Sequence, residues 1–82
     1  MYEDINETIE VATHFKGGKA NPLAFRWQNL LFKISKINLY HKFRAGQDII
    51  HAYSVSTDQG GTFKISFNPN LLTWRLNQIY NQ

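Results

Sequence analysis

The stretch KINLYHKFR, residues 36–44, sets Lys36, Lys42 and Arg44 around Tyr40 and His41. Cations neutralise phosphates and an aromatic ring stacks on an unpaired base. Basic and aromatic side chains mixed in this way are therefore suited to holding a single strand. Arg26 and Lys33 lie just upstream, in PLAFRWQNLLFKI, where they alternate with apolar residues. Arg26, Lys33, Lys36, Lys42 and Arg44 are thus the candidate phosphate contacts. Tyr40 is the candidate stacking group, with Phe43 and Tyr2 as further rings not needed by the core. Lys64 and Arg75 add charge on outward phases.

Other chemistries find less to work with. His14, His41 and His51 fall on separate segments without short ligand spacing, so no metal site is predicted. The chain has no cysteine, which removes a disulfide framework, a thiolate zinc site and a cysteine nucleophile together. Beyond residue 10 the acids are Asp48 and Asp58, too few for a converging carboxylate pair. KGGK and DQGG lack the helix that a phosphate-binding glycine loop must feed. The serines at 35, 54, 56 and 66 stand in no nucleophile motif. The sequence predicts neither an enzyme nor a cofactor.

Charge is unevenly placed. Four of the six acids (Glu3, Asp4, Glu7, Glu10) lie in the first ten positions, and all nine Lys and Arg follow them. A body with that imbalance favours polyanionic partners. The first residues lack a basic start leading into an apolar run, and no apolar run approaches the roughly 20 residues that span a bilayer. A cytoplasmic protein with no membrane partner is the expectation.

The elements that must position these residues are strands. At 82 residues the chain is read as a single domain over 1–82, with an acidic arm over 1–8 and a β-domain over 9–80. Aromatics make up 15% of it, enough large side chains to fill a small core. Apolar residues recur at a period of two, as in half-buried strands. Ile9, Val11, Thr13 and Phe15 share one phase, as do Leu23, Phe25 and Trp27, then Ile49, His51, Tyr53 and Val55, then Phe63, Ile65 and Phe67. Gly17-Gly18, RAGQD, DQGG and NPN punctuate them as turns. In NLLFKISKINLYHKF the phase of Leu30, Phe32 and Ile34 is opposite to that of Ile37 and Leu39, which predicts one β-bulge near Ser35-Lys36. LLTWRLNQIYNQ is ambiguous and is read as a strand to about Leu76 followed by a short helical turn or an irregular tail. The predicted fold is all-β: a small antiparallel barrel or strongly curled sheet of five to six strands.

Pro22, Phe25, Trp27, Tyr53, Val55, Trp74, Leu76, Ile79 and Tyr80 form a pattern of Pro-x-x-Phe-x-Trp, Tyr-x-Val and Trp-x-Leu-x-x-Ile-Tyr. In this the chain resembles, over about residues 10 to 80, a group of small bacterial proteins known as a domain of unknown function. Some of that group look to be encoded near translesion-polymerase genes, so the resemblance implies a DNA-repair setting. It carries no catalytic residue across.

Two classes of function follow. The first is a non-enzymatic module that binds single-stranded DNA or RNA through a basic face. The alternative is a protein-interaction module or homodimer, built on an aromatic groove or an open sheet edge.

Overall fold

A computed structural model of the chain describes residues 1–80. It contains six strands: β1 (Tyr2–Lys16), β2 (Lys19–Trp27), β3 (Leu30–Ala45), β4 (Asp48–Thr57), β5 (Thr62–Asn68) and β6 (Thr73–Tyr80). Each pairs antiparallel with its neighbours in the chain, and β1 closes on β6 to complete a barrel. The fold is all-β, as the alternation predicts.

The acidic segment differs from the expected arm. It is the first half of β1, with Tyr2, Glu3 and Asp4 in register with Tyr80, Ile79 and Gln78 of β6. Its few apolar residues hide the alternation that marks a strand, and pairing with β6 supplies what local pattern lacks.

The C-terminal segment also stays extended, through Tyr80; the rest of the expected helical turn, residues 81–82, lies outside the described residues. The helix-like spacing of Leu76 and Ile79 comes from a bulge. Ile65 pairs with Leu76 and Lys64 with Gln78, so Asn77 is an extra residue on β6. The insertion brings Leu76 and Ile79 to the same side of a strand although they are three positions apart.

Inside the barrel, Phe25, Phe32 and Phe63 form one aromatic group, with centroids 5.1 to 5.3 Å apart. Tyr53, Trp74 and Phe67 form a second, at 5.5 and 4.9 Å. Val55, Ile65 and Leu76 fill the space with them and are fully buried. The buried Tyr53 hydroxyl donates to the Ala20 carbonyl, tying β4 to β2 across the barrel.

Leu23 and Phe15, expected inside, are not. Leu23 is 55% exposed because it is the extra residue of a bulge, with Ala12 opposite Ala24 and Thr13 opposite Pro22. The phase of β2 therefore switches, and Ala20 and Pro22 are buried before it, Phe25 after it. Phe15 keeps its inward phase opposite Ala20 and packs on Phe67 at 5.9 Å, yet it sits at the rim and is 62% exposed.

Candidate single-strand cleft between β2 and β3

β2 and β3 are paired only where residues 24–27 meet residues 30–33. Beyond Lys33, β3 follows β4, while the first half of β2 stays with β1. The barrel wall parts there and leaves a cleft of about 220 Å³ lined by Lys19, Ala20, Ile37, Tyr40, His51 and Tyr53, among others.

Tyr40 reaches this cleft because β3 carries two bulges. Ser35 is extra between the pairs Ile34–Thr57 and Lys36–Ser56, as predicted, and Asn38 is extra between Ile37–Val55 and Leu39–Ser54. Both are held by Ser56: its carbonyl accepts from Ser35 Oγ at 3.2 Å, and its Oγ accepts from Asn38 Nδ2 at 2.9 Å. Each bulge reverses the side to which later residues point. One reversal would leave Leu39 inside and Tyr40 outside. Two turn Leu39 out, 61% exposed, and bring Tyr40 onto the side of Tyr53.

The cleft is aromatic. Tyr40 Oη and His51 Nδ1 lie 2.7 Å apart, in a hydrogen bond whose donor depends on the imidazole tautomer, and the two rings are nearly parallel at 5.9 Å. Tyr40 also packs on Tyr53 at 5.1 Å. Burial, reinforced by the neighbouring Tyr40, pushes the Tyr53 hydroxyl above the usual phenol range and keeps it a donor to Ala20. Gly18, Ala20 and His51 also line a second hollow of about 240 Å³, where Phe15, Phe67 and Leu72 gather. The two hollows share Gly18, Ala20 and His51 as a common wall.

Cations surround this end of the barrel. Lys19 lines the cleft and is in register with Lys16 across the Gly17-Gly18 turn, where both glycines take positive φ. Lys42 is opposite His51 and Arg44 opposite Ile49. The acid nearest them in register is Asp48, whose carboxylate accepts from Asn68 Nδ2 at 3.0 Å and Asn70 Nδ2 at 2.6 Å. These two bonds, Asn68 first, hold it below the ordinary carboxylate range. Among the described residues, no carboxylate lines the cleft and no three His, Cys, Asp or Glu gather as a metal site would require.

The six sequence candidates are divided between two surfaces. Tyr40, Lys42 and Arg44 share the cleft side of β3. Arg26, in register with Glu10 and Leu31, and Lys33, opposite Ala24, are exposed on the outer wall, where Lys36 also lies, opposite Ser56. Lys16, Lys19 and the Phe15 ring belong to the cleft end and were not predicted there. Their signal was the KGGK turn itself, a glycine pair flanked by lysines directly after a phenylalanine. His51 bonds to Tyr40 and forms part of the cleft wall.

No protein-family model, no curated protein and no solved structure matches the chain.

Proposed function

We propose that this protein is a non-enzymatic module that binds single-stranded nucleic acid, DNA or RNA, at the cleft between β2 and β3. The reading is supported by the pairing of two features at one place. An aromatic cleft with Tyr40 45% exposed is bordered by Lys16, Lys19, Lys42 and Arg44, and the nearby Asp48 carboxylate is already engaged by amides. A base laid against Tyr40 would leave its phosphates among these cations. Arg26, Lys33 and Lys36 extend the positive field along the outer wall and steer a polyanion without touching the cleft. The repair setting implied by the resemblance is one in which single strands arise.

Fluorescence polarisation with single-stranded and duplex oligonucleotides tests this. The four cleft cations predict a slope of about −3 in log affinity against log salt for a single strand. Lys42→Ala with Arg44→Ala is expected to lower affinity and flatten that slope by about 1.4. Tyr40→Phe should bind nearly as the wild type does, and Tyr40→Leu should lose about 1–3 kcal/mol of stacking. Binding unchanged in the double alanine variant, or a preference for duplex, would remove the cleft as the site.

A further inference from the structure

β1 and β3 each change neighbour partway along, and this divides the barrel wall into two sheets. The larger runs from residues 2–9 of β1 through β6, β5 and β4 to residues 34–45 of β3. The smaller joins residues 10–16 of β1, β2 and residues 30–33 of β3. The larger sheet therefore ends in two edges where the ladder stops: residues 2–9 of β1 and residues 34–45 of β3. An edge strand is a template for another strand unless it is short, covered or charged.

The β3 edge is neither short nor covered. From Ser35 to Ala45 every residue is exposed, on both faces, and Ile37, Leu39, Tyr40 and Phe43 are among them. It is charged, and with a single sign: Lys36, Lys42 and Arg44, with no acid between residues 34 and 45. The β1 edge has the opposite sign. Residues 2–9 include Glu3, Asp4 and Glu7 and no base. Asp4 and Glu7 accept from the neutral groups Gln78 Nε2 and Trp27 Nε1, bonds that leave their charge in place. On this edge the Asn6 carbonyl is taken, by Arg75 Nη2 at 2.6 Å.

Three pairings of these edges between two copies are conceivable. Two-fold pairing of β3 with β3 brings Lys36, Lys42 and Arg44 of both copies together. Two-fold pairing of β1 with β1 brings together carboxylates. Like charges facing each other across strands are unfavourable and opposite charges favourable. We infer that copies of this chain associate head to tail, the acidic β1 edge of one adding to the basic β3 edge of another. β1, β5 and β3 run in the same direction within the larger sheet, because each ladder between them is antiparallel. With the sheet faces kept aligned, the incoming β1 lies parallel to β3. Such a contact is heterologous, so it builds rings or open chains rather than a closed pair.

Sedimentation velocity without nucleic acid tests this. At about 0.05 M salt the wild type should form a concentration-dependent series extending beyond a dimer. At about 0.5 M, where the screening length falls to roughly 4 Å, the apparent dissociation constant should rise at least about tenfold. Asp4→Lys with Glu7→Lys removes the acidic edge, and Lys42→Glu with Arg44→Glu removes the basic one. Each variant alone should be monomeric. Mixed, they should associate again, because the retained edges are complementary and so are the two reversed ones. Circular dichroism checks each fold, and if a reversal does not fold, Asp4→Asn/Glu7→Gln or Lys42→Gln/Arg44→Gln replaces it with the same expected result. A wild type that stays monomeric at low salt, a discrete dimer unaffected by loss of the acidic edge, or a mixture that stays monomeric would each overturn the inference.

Discussion

Asp48 is the residue whose chemistry is most visibly set by its neighbours. Its two carboxylate oxygens accept one hydrogen bond each from Asn68 and Asn70, which joins the β3–β4 turn to the β5–β6 turn. The same Asn68 accepts the backbone N–H groups of Asn70 and Leu71, so the clip and the turn are one unit. Because the folded-state value of Asp48 is depressed, the unfolded chain takes up the proton first as pH falls. The clip's contribution is therefore complete above the unfolded value of about 4 and is lost as pH falls through the lower folded value. Urea unfolding of the wild type and Asp48→Asn should differ by a constant amount at neutral pH, and the difference should shrink below about pH 4. A difference that stays constant into the acid range would mean that the carboxylate form is not what the turn holds. At this scale much was legible: Phe25, Phe32, Phe63, Phe67 and Trp74, all on inward phases, are buried. The partners of Asp48 were not, because Asn68 and Asn70 are twenty or more residues away in the chain.

Among the elements, the bulges decide most. Leu23, Ser35, Asn38 and Asn77 each interrupt a ladder by one residue, and each reverses the phase of the residues after it. The phase break between Ile34 and Ile37 was readable because apolar residues flank it on both sides. The break at Asn38 was not, since beyond it Leu39 and Phe43 take the outer face and Lys42 and Arg44 the cleft side, the reverse of the usual pattern. The β2–β3 turn is a second case. Trp27 pairs with Leu30, so Gln28 and Asn29 form a two-residue hairpin turn with φ of 52° and 62°. That geometry belongs to type I′, for which Asn-Gly is the favoured pair and a glutamine is strained. Gln28→Asn with Asn29→Gly is expected to raise stability by about 1 kcal/mol in chemical denaturation. No gain, or a loss, would show that the Gln28 side chain contributes to the turn more than its backbone strain costs.

The whole molecule is a barrel with a charge axis and uneven density. Val55, Ile65 and Leu76 mark the tight centre of β4, β5 and β6, whereas the end of β3 extends past the core with β4 on one side only. Native-state hydrogen exchange at about 0.5 M salt, where association between copies is screened, should find the slowest amides at Val55, Ile65 and Leu76. The fastest within strands should be the amides of residues 39–45 that point away from β4. Equal protection in the two regions would mean that the exposed end of β3 is covered by something else. The strand class, the turns, the aromatic core and the segregation of acids from bases follow from the chain alone, because each depends on residue type and a period of two. The side on which Tyr40, Lys42 and Arg44 lie, and the pairing of the acidic segment with β6, were decided by closure of the barrel. In a strand one inserted residue exchanges the two faces, and where insertions fall is set by how six strands must curl to meet.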